Sequence, residues 1–292
     1  GRKIGWRGFT STVVDPRRVR GEQRNGSKSL VVALRKSYPD WGAGKLAYRL
    51  KEESGVEMKR ITLHRILARH GLVRERDRHP RATERFERQA PNELGQMDFK
   101  GLPEPWTNRQ LPLSMVDDHS RYLVALEWPE GMQAQAVRKT VQAVFGRSGV
   151  LRQMLLDHGT PWWNMESGIG VTRFSVWLMK QGMQLLFGGY RQPQTQGKVE
   201  RFPGSLERAI KLRGIPEASA WQSVLEAYRR EFNEHRPHEA LQIEPPAKHW
   251  KPSERVGLQD VDGVTLNFLS SDARPSARSS FWSGGHGRLT RT

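Results

Sequence analysis

Gln96-Met97-Asp98-Phe99-Lys100-Gly101-Leu102, Leu111-Pro112-Leu113-Ser114-Met115-Val116 and Tyr122-Leu123-Val124-Ala125-Leu126-Glu127-Trp128 are three short apolar runs. Turn-forming residues separate them, in Pro103-Glu104-Pro105 and Asp118-His119-Ser120. Runs of this length, bounded in this way, read as β-strands. The period then changes. Ala136, Val137, Val141, Val144 and Phe145 mark one side of a helix over 133–145, strand 152–156 runs into Asp157, and helix 172–181 precedes strand 184–187. Two further helices are predicted over 196–212 and 221–234. Three meandering strands followed by alternating helix and strand predict an α/β layer on a mixed sheet.

Upstream the pattern is all helical. Leu30, Val31 and Leu34, then Trp41, Leu46 and Leu50, give one buried stripe per helix, and Ser54-Gly55 stops the second helix. In the next helix Leu63, Ile66, Leu67 and His70 fall at i, i+3, i+4 and i+7. Lys59, Arg60, Thr62, His64, Arg65 and Arg69 are left toward solvent, as a DNA-recognition helix would leave them. A basic three-helix bundle with no sequence-reading role fits the same stripe. The chain therefore divides into a basic tail (1–27), an all-α helix-turn-helix domain (28–73), a mixed-charge linker (74–92), the α/β core with its C-terminal helices (93–250) and a weakly structured tail (251–292). Within that tail, alternation over 261–269 predicts a strand pair around Asp262-Gly263, and the Ser/Arg/Gly-rich stretch 270–292 reads as disordered.

The balance of 48 Lys+Arg against 31 Asp+Glu gives a net charge of +17 over 292 residues. The first 90 residues hold 23 basic and 10 acidic side chains. A basic front end predicts a polyanionic partner, nucleic acid before membrane. Cysteine is absent, which excludes disulfides and Cys-based zinc sites and fits a reducing compartment. No apolar run approaches the roughly 18 residues of a spanning helix, and no signal peptide opens the chain, so a cytoplasmic, nucleoid-associated protein with no membrane partner is expected. The chain opens on Gly1 rather than Met, leaving room for a longer N-terminus.

Three carboxylates carry the chemistry. Asp98 stands in the first strand phrase, Asp157 in Leu155-Leu156-Asp157-His158-Gly159, and Glu200 in Gly197-Lys198-Val199-Glu200-Arg201-Phe202. A single Asp at a strand end is usually a turn or cap residue, so the reading rests on the set. Two strand-end carboxylates and a third on a helix can converge on a pair of Mg²⁺ ions, with Mn²⁺ able to substitute, which suits in-line phosphodiester displacement. Asp117 and Asp118 compete as a pair, but successive strand side chains point to opposite faces, so they read as turn and surface residues. His158 reads as a local turn or substrate neighbour. Glu166 lies in a Gly-rich stretch that offers no scaffold. Arg191, Gln192, Gln194, Thr195, Gln196, Lys198 and Arg201 are the candidate phosphate contacts around the third carboxylate.

Taken together these phrases resemble bacterial insertion-sequence transposases with a retroviral-integrase-like catalytic core. Asp118-His119-Ser120-Arg121-Tyr122 and the run from Phe232-Asn233-Glu234-His235-Arg236-Pro237 to Leu241 belong to the same resemblance, which spans 41–250. It implies an RNase H-like fold behind a helix-turn-helix, a DDE triad at Asp98, Asp157 and Glu200, and two catalytic Mg²⁺. It also implies DNA partners, both terminal repeats and target, and a homo-oligomer that joins two DNA ends. Two departures stand out: the second and third carboxylates are further apart than is common, and Pro203 follows Glu200 by three residues. A helix starting near Gln196 would place Pro203 in its interior, at about 3 kcal/mol; one starting near Glu200 would place it harmlessly in the first turn. A catalytically inactive DNA-binding derivative and an RNase H-type nuclease are the alternatives.

Overall fold

A computed structural model describes residues 25–73, 88–99, 102–103, 106, 110–164, 170–188, 201–257, 264–266 and 289–291. The first of these form three helices, α1 (Asn25–Ser37), α2 (Ala43–Ser54) and α3 (Arg60–Arg69). Val31, Leu34, Leu46, Leu50, Leu63, Ile66 and Leu67 meet in one core, which Trp41 joins from the α1–α2 corner. Each such side chain stabilises the bundle by about 1.5–3 kcal/mol. Gly55 ends α2 in the left-handed region (φ 70°), its N–H returning to Lys51 O, a conformation that costs glycine nothing. His70 departs from the expected stripe. It follows the last helical residue and is exposed, because the helical phase lapses one residue before it.

The central sheet has five strands: β1 (Leu94–Phe99), β2 (Leu113–Asp117), β3 (Leu123–Glu127), β4 (Gln153–Leu156) and β7 (Gln184–Phe187). Their order is β3-β2-β1-β4-β7. The first three pair antiparallel, while β4 is parallel to both β1 and β7, so the sheet is mixed as the element order predicts. Two strands of a small ribbon, β5 (Trp163–Asn164) and β6 (Gly170–Val171), lie between β4 and β7 in the chain.

Helices cover both faces. On one, α4 (Ala134–Ser148) and α5 (Arg173–Lys180) pack Val137, Val141, Val144, Phe174 and Trp177 against Met97, Met115, Met154 and Leu156. On the other, α6 (Arg201–Arg213) and α7 (Trp221–Arg230) bring Leu206, Ala209, Ile210, Trp221 and Leu225 onto Val116, Leu123 and Leu126. Strand alternation assigns these two sets to opposite faces. α6 is described from Arg201 onward and contains Pro203; residues 189–200 lie outside the described residues. After α7 the chain makes a π-turn (Glu231–His235) in which Asn233, 1% exposed, grips the edge strand: its Oδ1 accepts from Leu123 N (2.8 Å) and its Nδ2 donates to Leu123 O (3.0 Å).

Two expectations for the C-terminal region change. Residues 251–257 are not loose: Ser253 N donates to Ser148 O, Val150 N to Arg255 O, and Arg255 Nη1 to Leu151 O. Further on, β8 (Val264–Leu266) pairs antiparallel with β9 (Leu289–Arg291), while 258–263, which include Asp262-Gly263, lie outside the described residues. The 270–292 stretch thus supplies a strand. No helix among the described residues is long and apolar enough to cross a membrane.

Candidate active site

β1 and β4 run parallel with Leu94 beside Gln153, Gly95 beside Met154 and Gln96 beside Leu155. Asp157 is the first residue past the end of β4, and the same register carried two residues beyond the last pair brings it beside Asp98. Neighbouring strands lie about 4.8 Å apart, so the two residues stand on adjacent strand ends. Met97 and Phe99 turn to the α4–α5 core. Asp98 therefore belongs with Gln96 to the face opposite that core, whereas Asp157, just past the end of β4, bonds to Trp162 of the core itself.

The Asp157 carboxylate is held from one side. Its Oδ1 accepts from Trp162 Nε1 (2.5 Å) and Gly159 N (3.0 Å), and neither bond engages Oδ2. Trp162 is itself fixed, 1% exposed and stacked on Phe99 at 5.3 Å between ring centroids. Hydrogen bonds that orient a ligand carboxylate in this way are the usual support of a cation site. Both aspartates are half-buried, partly dry yet reachable. Two oxygen donors with this spacing suit a hard divalent cation such as Mg²⁺. Among the described residues no group of three or more His, Asp or Glu converges on a point. The third expected ligand, Glu200, lies outside the described residues. Glu166, Arg191, Gln192, Gln194, Thr195, Gln196 and Lys198 also lie outside them.

Asp117 and Asp118 are turn residues but not surface ones, being 0% and 1% exposed. Asp117 pairs with Gly95 near the start of β1, about 10 Å from Asp98 at some 3.3 Å per residue. Its carboxylate accepts from Asn92 N, Ser120 N and Ser120 Oγ; burial still pushes its pKa up against those bonds. Asp118 accepts from Arg88 N and Gln96 Nε2 and faces Arg121. The pair is therefore structural, and its distance from Asp98 excludes it more firmly than strand alternation does. His158 is exposed, edge-on to Trp163 at 4.6 Å.

Lys59, just before α3, and Arg60, Thr62, His64, Arg65 and Arg69 on it are all exposed, more than 20 residues upstream of the sheet. Sequence reasoning gave no role to Gly159 or Trp162. Their signal was their spacing, two and five residues after Asp157.

A mixed sheet with two carboxylates at the ends of adjacent parallel strands, one of them held by an indole N–H, defines an α/β protein with a candidate cation site. Residues 181–246, from just before β7 to Pro246, match the family described as Integrase core domain. That segment includes α6, α7 and the π-turn. The chain is also similar to the catalytic core domain of BIV integrase, at 19% identity over 54% of this chain and 92% of that one, with a TM-score of 0.40.

Proposed function

We propose that this chain is a DDE transposase: α2 and α3 act as a helix-turn-helix that recognises the ends of a DNA element, and the RNase H-like core cleaves and joins strands there. The observation that carries the reading is the parallel pairing of β1 with β4, which brings Asp98 and Asp157 to the C-terminal ends of adjacent strands. The Integrase core domain match over 181–246 supports it, as do the net charge of +17 and the exposed cations of α3.

Asp98, Asp157 and Glu200 are the residues that would hold two Mg²⁺. When bound, such ions activate the attacking oxygen and stabilise the leaving one. Trp162 and Gly159 keep Asp157 Oδ1 engaged, and neither of these bonds takes up Oδ2. Lys198 and Arg201, with Gln194 and Gln196, are assigned to the DNA backbone. First water attacks the phosphodiester at the element end; then the freed 3′-hydroxyl attacks target DNA and the target strand leaves as a 3′-hydroxyl. Joining two ends calls for at least two copies of the chain on DNA.

The test is a strand-joining assay with Mg²⁺, labelled duplex and supercoiled plasmid. Wild type should give joined products. Asp98→Asn and Asp157→Asn should each lower them by about 1,000-fold or more, as loss of a catalytic group commonly does, with DNA binding retained. Joining that persists in either variant sinks the proposal. Cutting of RNA:DNA hybrids without joining would favour the nuclease alternative, and binding with no reaction in wild type the inactive derivative.

A further inference from the structure

We infer that Asp40 is a positioning residue that fixes the three-helix module on the core in one orientation, so that DNA held by α3 and the phosphodiester presented to Asp98 and Asp157 stand at a set offset within one chain. This rests on the proposed function for its meaning but on independent geometry for its substance.

Asp40 projects from the α1–α2 corner, whose backbone is held by Arg35 Nη1 bonding to Pro39 O (3.1 Å) and Trp41 O (2.6 Å). Its carboxylate is 0% exposed. Oδ2 meets Arg236 Nη1 at 2.5 Å and Oδ1 meets Arg213 Nη2 at 3.1 Å. These partners are 196 and 173 residues away in the chain. Arg213 forks onto Glu231 at 2.7 and 2.8 Å, and Arg236 reaches Ser205 Oγ at 3.3 Å. Both arginines thus clamp the module to α6, Arg213 as its last residue and Arg236 through Ser205.

Stability alone does not explain four buried charges. Desolvating each ion costs several kcal/mol, and an apolar contact of equal volume often serves as well or better. An apolar contact, however, tolerates sliding. A bidentate guanidinium fork and two directional bonds to one carboxylate accept a single geometry. The charges are therefore suited to holding an angle and a distance.

Because the chain has no cysteine, labels can be placed at chosen positions alone. Ile61→Cys on α3 and Met132→Cys on the core, at positions 60% and 37% exposed, take spin labels for a pulsed dipolar distance measurement on the full chain. A narrow distribution is expected. Asp40→Ala should widen it at least twofold and Asp40→Asn less, while a second pair within the core, Met132→Cys with Val256→Cys, stays narrow. A broad distribution in the parent, or an unchanged one in Asp40→Ala, overturns the inference. Absence of joined products with the distance still narrow would instead count against the proposed reaction, so the two failures are distinguishable.

Discussion

Gly159 lies so near the carboxylate of Asp157 that a Cβ at that position would come within 2.9 Å of Oδ1 and 3.3 Å of Oδ2. The glycine is thus required by close approach, not by backbone conformation. Gly159→Ala should displace the carboxylate and lower strand joining about 10- to 100-fold, the range for disturbed support of a metal ligand. Trp162→Phe removes only the Nε1 donor and should fall at the lower end of that range. Mg²⁺ titrations of joining, with circular dichroism to show an intact fold, would read both. An unchanged Mg²⁺ dependence in Gly159→Ala would dissociate Asp157 from the ions.

Asn233 supplies both hydrogen bonds that close the edge of β3 at Leu123. Asn233→Ala leaves that amide and carbonyl buried without partners, at about 1–3 kcal/mol for such a group. The unfolding free energy from urea titration should fall accordingly, by about 2–6 kcal/mol for the two groups, with little change in slope. A loss below about 0.5 kcal/mol would show that water replaces the side chain.

DNA binding should weaken steeply with salt. Each phosphate neutralised contributes a slope of about −0.9 in log K against log salt. Replacing Arg60, Arg65 and Arg69, all exposed on α3, by Ala should flatten the slope by about one for each phosphate that is no longer neutralised. Fluorescence anisotropy between 50 and 200 mM salt measures it. An identical slope in the triple variant would move the DNA away from α3.

His235 faces α2 across the junction of module and core. Burial first, then Arg49, lowers its pKa below the ordinary value, with Glu234, Glu231 and Glu53 opposing. The unfolded chain therefore takes up the proton first, and folded-state stability falls as pH drops through about 6.5. Melting temperature should decline between pH 7.5 and 5.5, and His235→Asn should remove part of that decline. Asp40 behaves in the opposite range. Burial would raise its pKa, but Arg236 and Arg213 together hold it below the usual carboxylate value. Its contribution is present above about pH 3.9 and is lost as pH falls further.

Much of this molecule was written locally. The stripe of Leu63, Ile66 and Leu67, the left-handed stop at Gly55 and the apolar runs of β1 to β3 are properties of residues a few positions apart, because helix and strand periods repeat within one or two turns. The phrases around Asp98 and Asp157 were legible for the same reason. Their alignment was not, since it comes from a parallel pairing between strands more than 50 residues apart. Asp117 and Asp118 looked like surface turn residues until the fold buried them beneath Arg88 and Asn92. Asp40 shows the limit most plainly. In sequence it is one polar residue in a Pro-Asp-Trp corner; its two arginines lie 173 and 196 residues on, and only packing of the bundle against the core brings them within bonding distance. Period and charge fix elements, but burial and partnership belong to the whole chain.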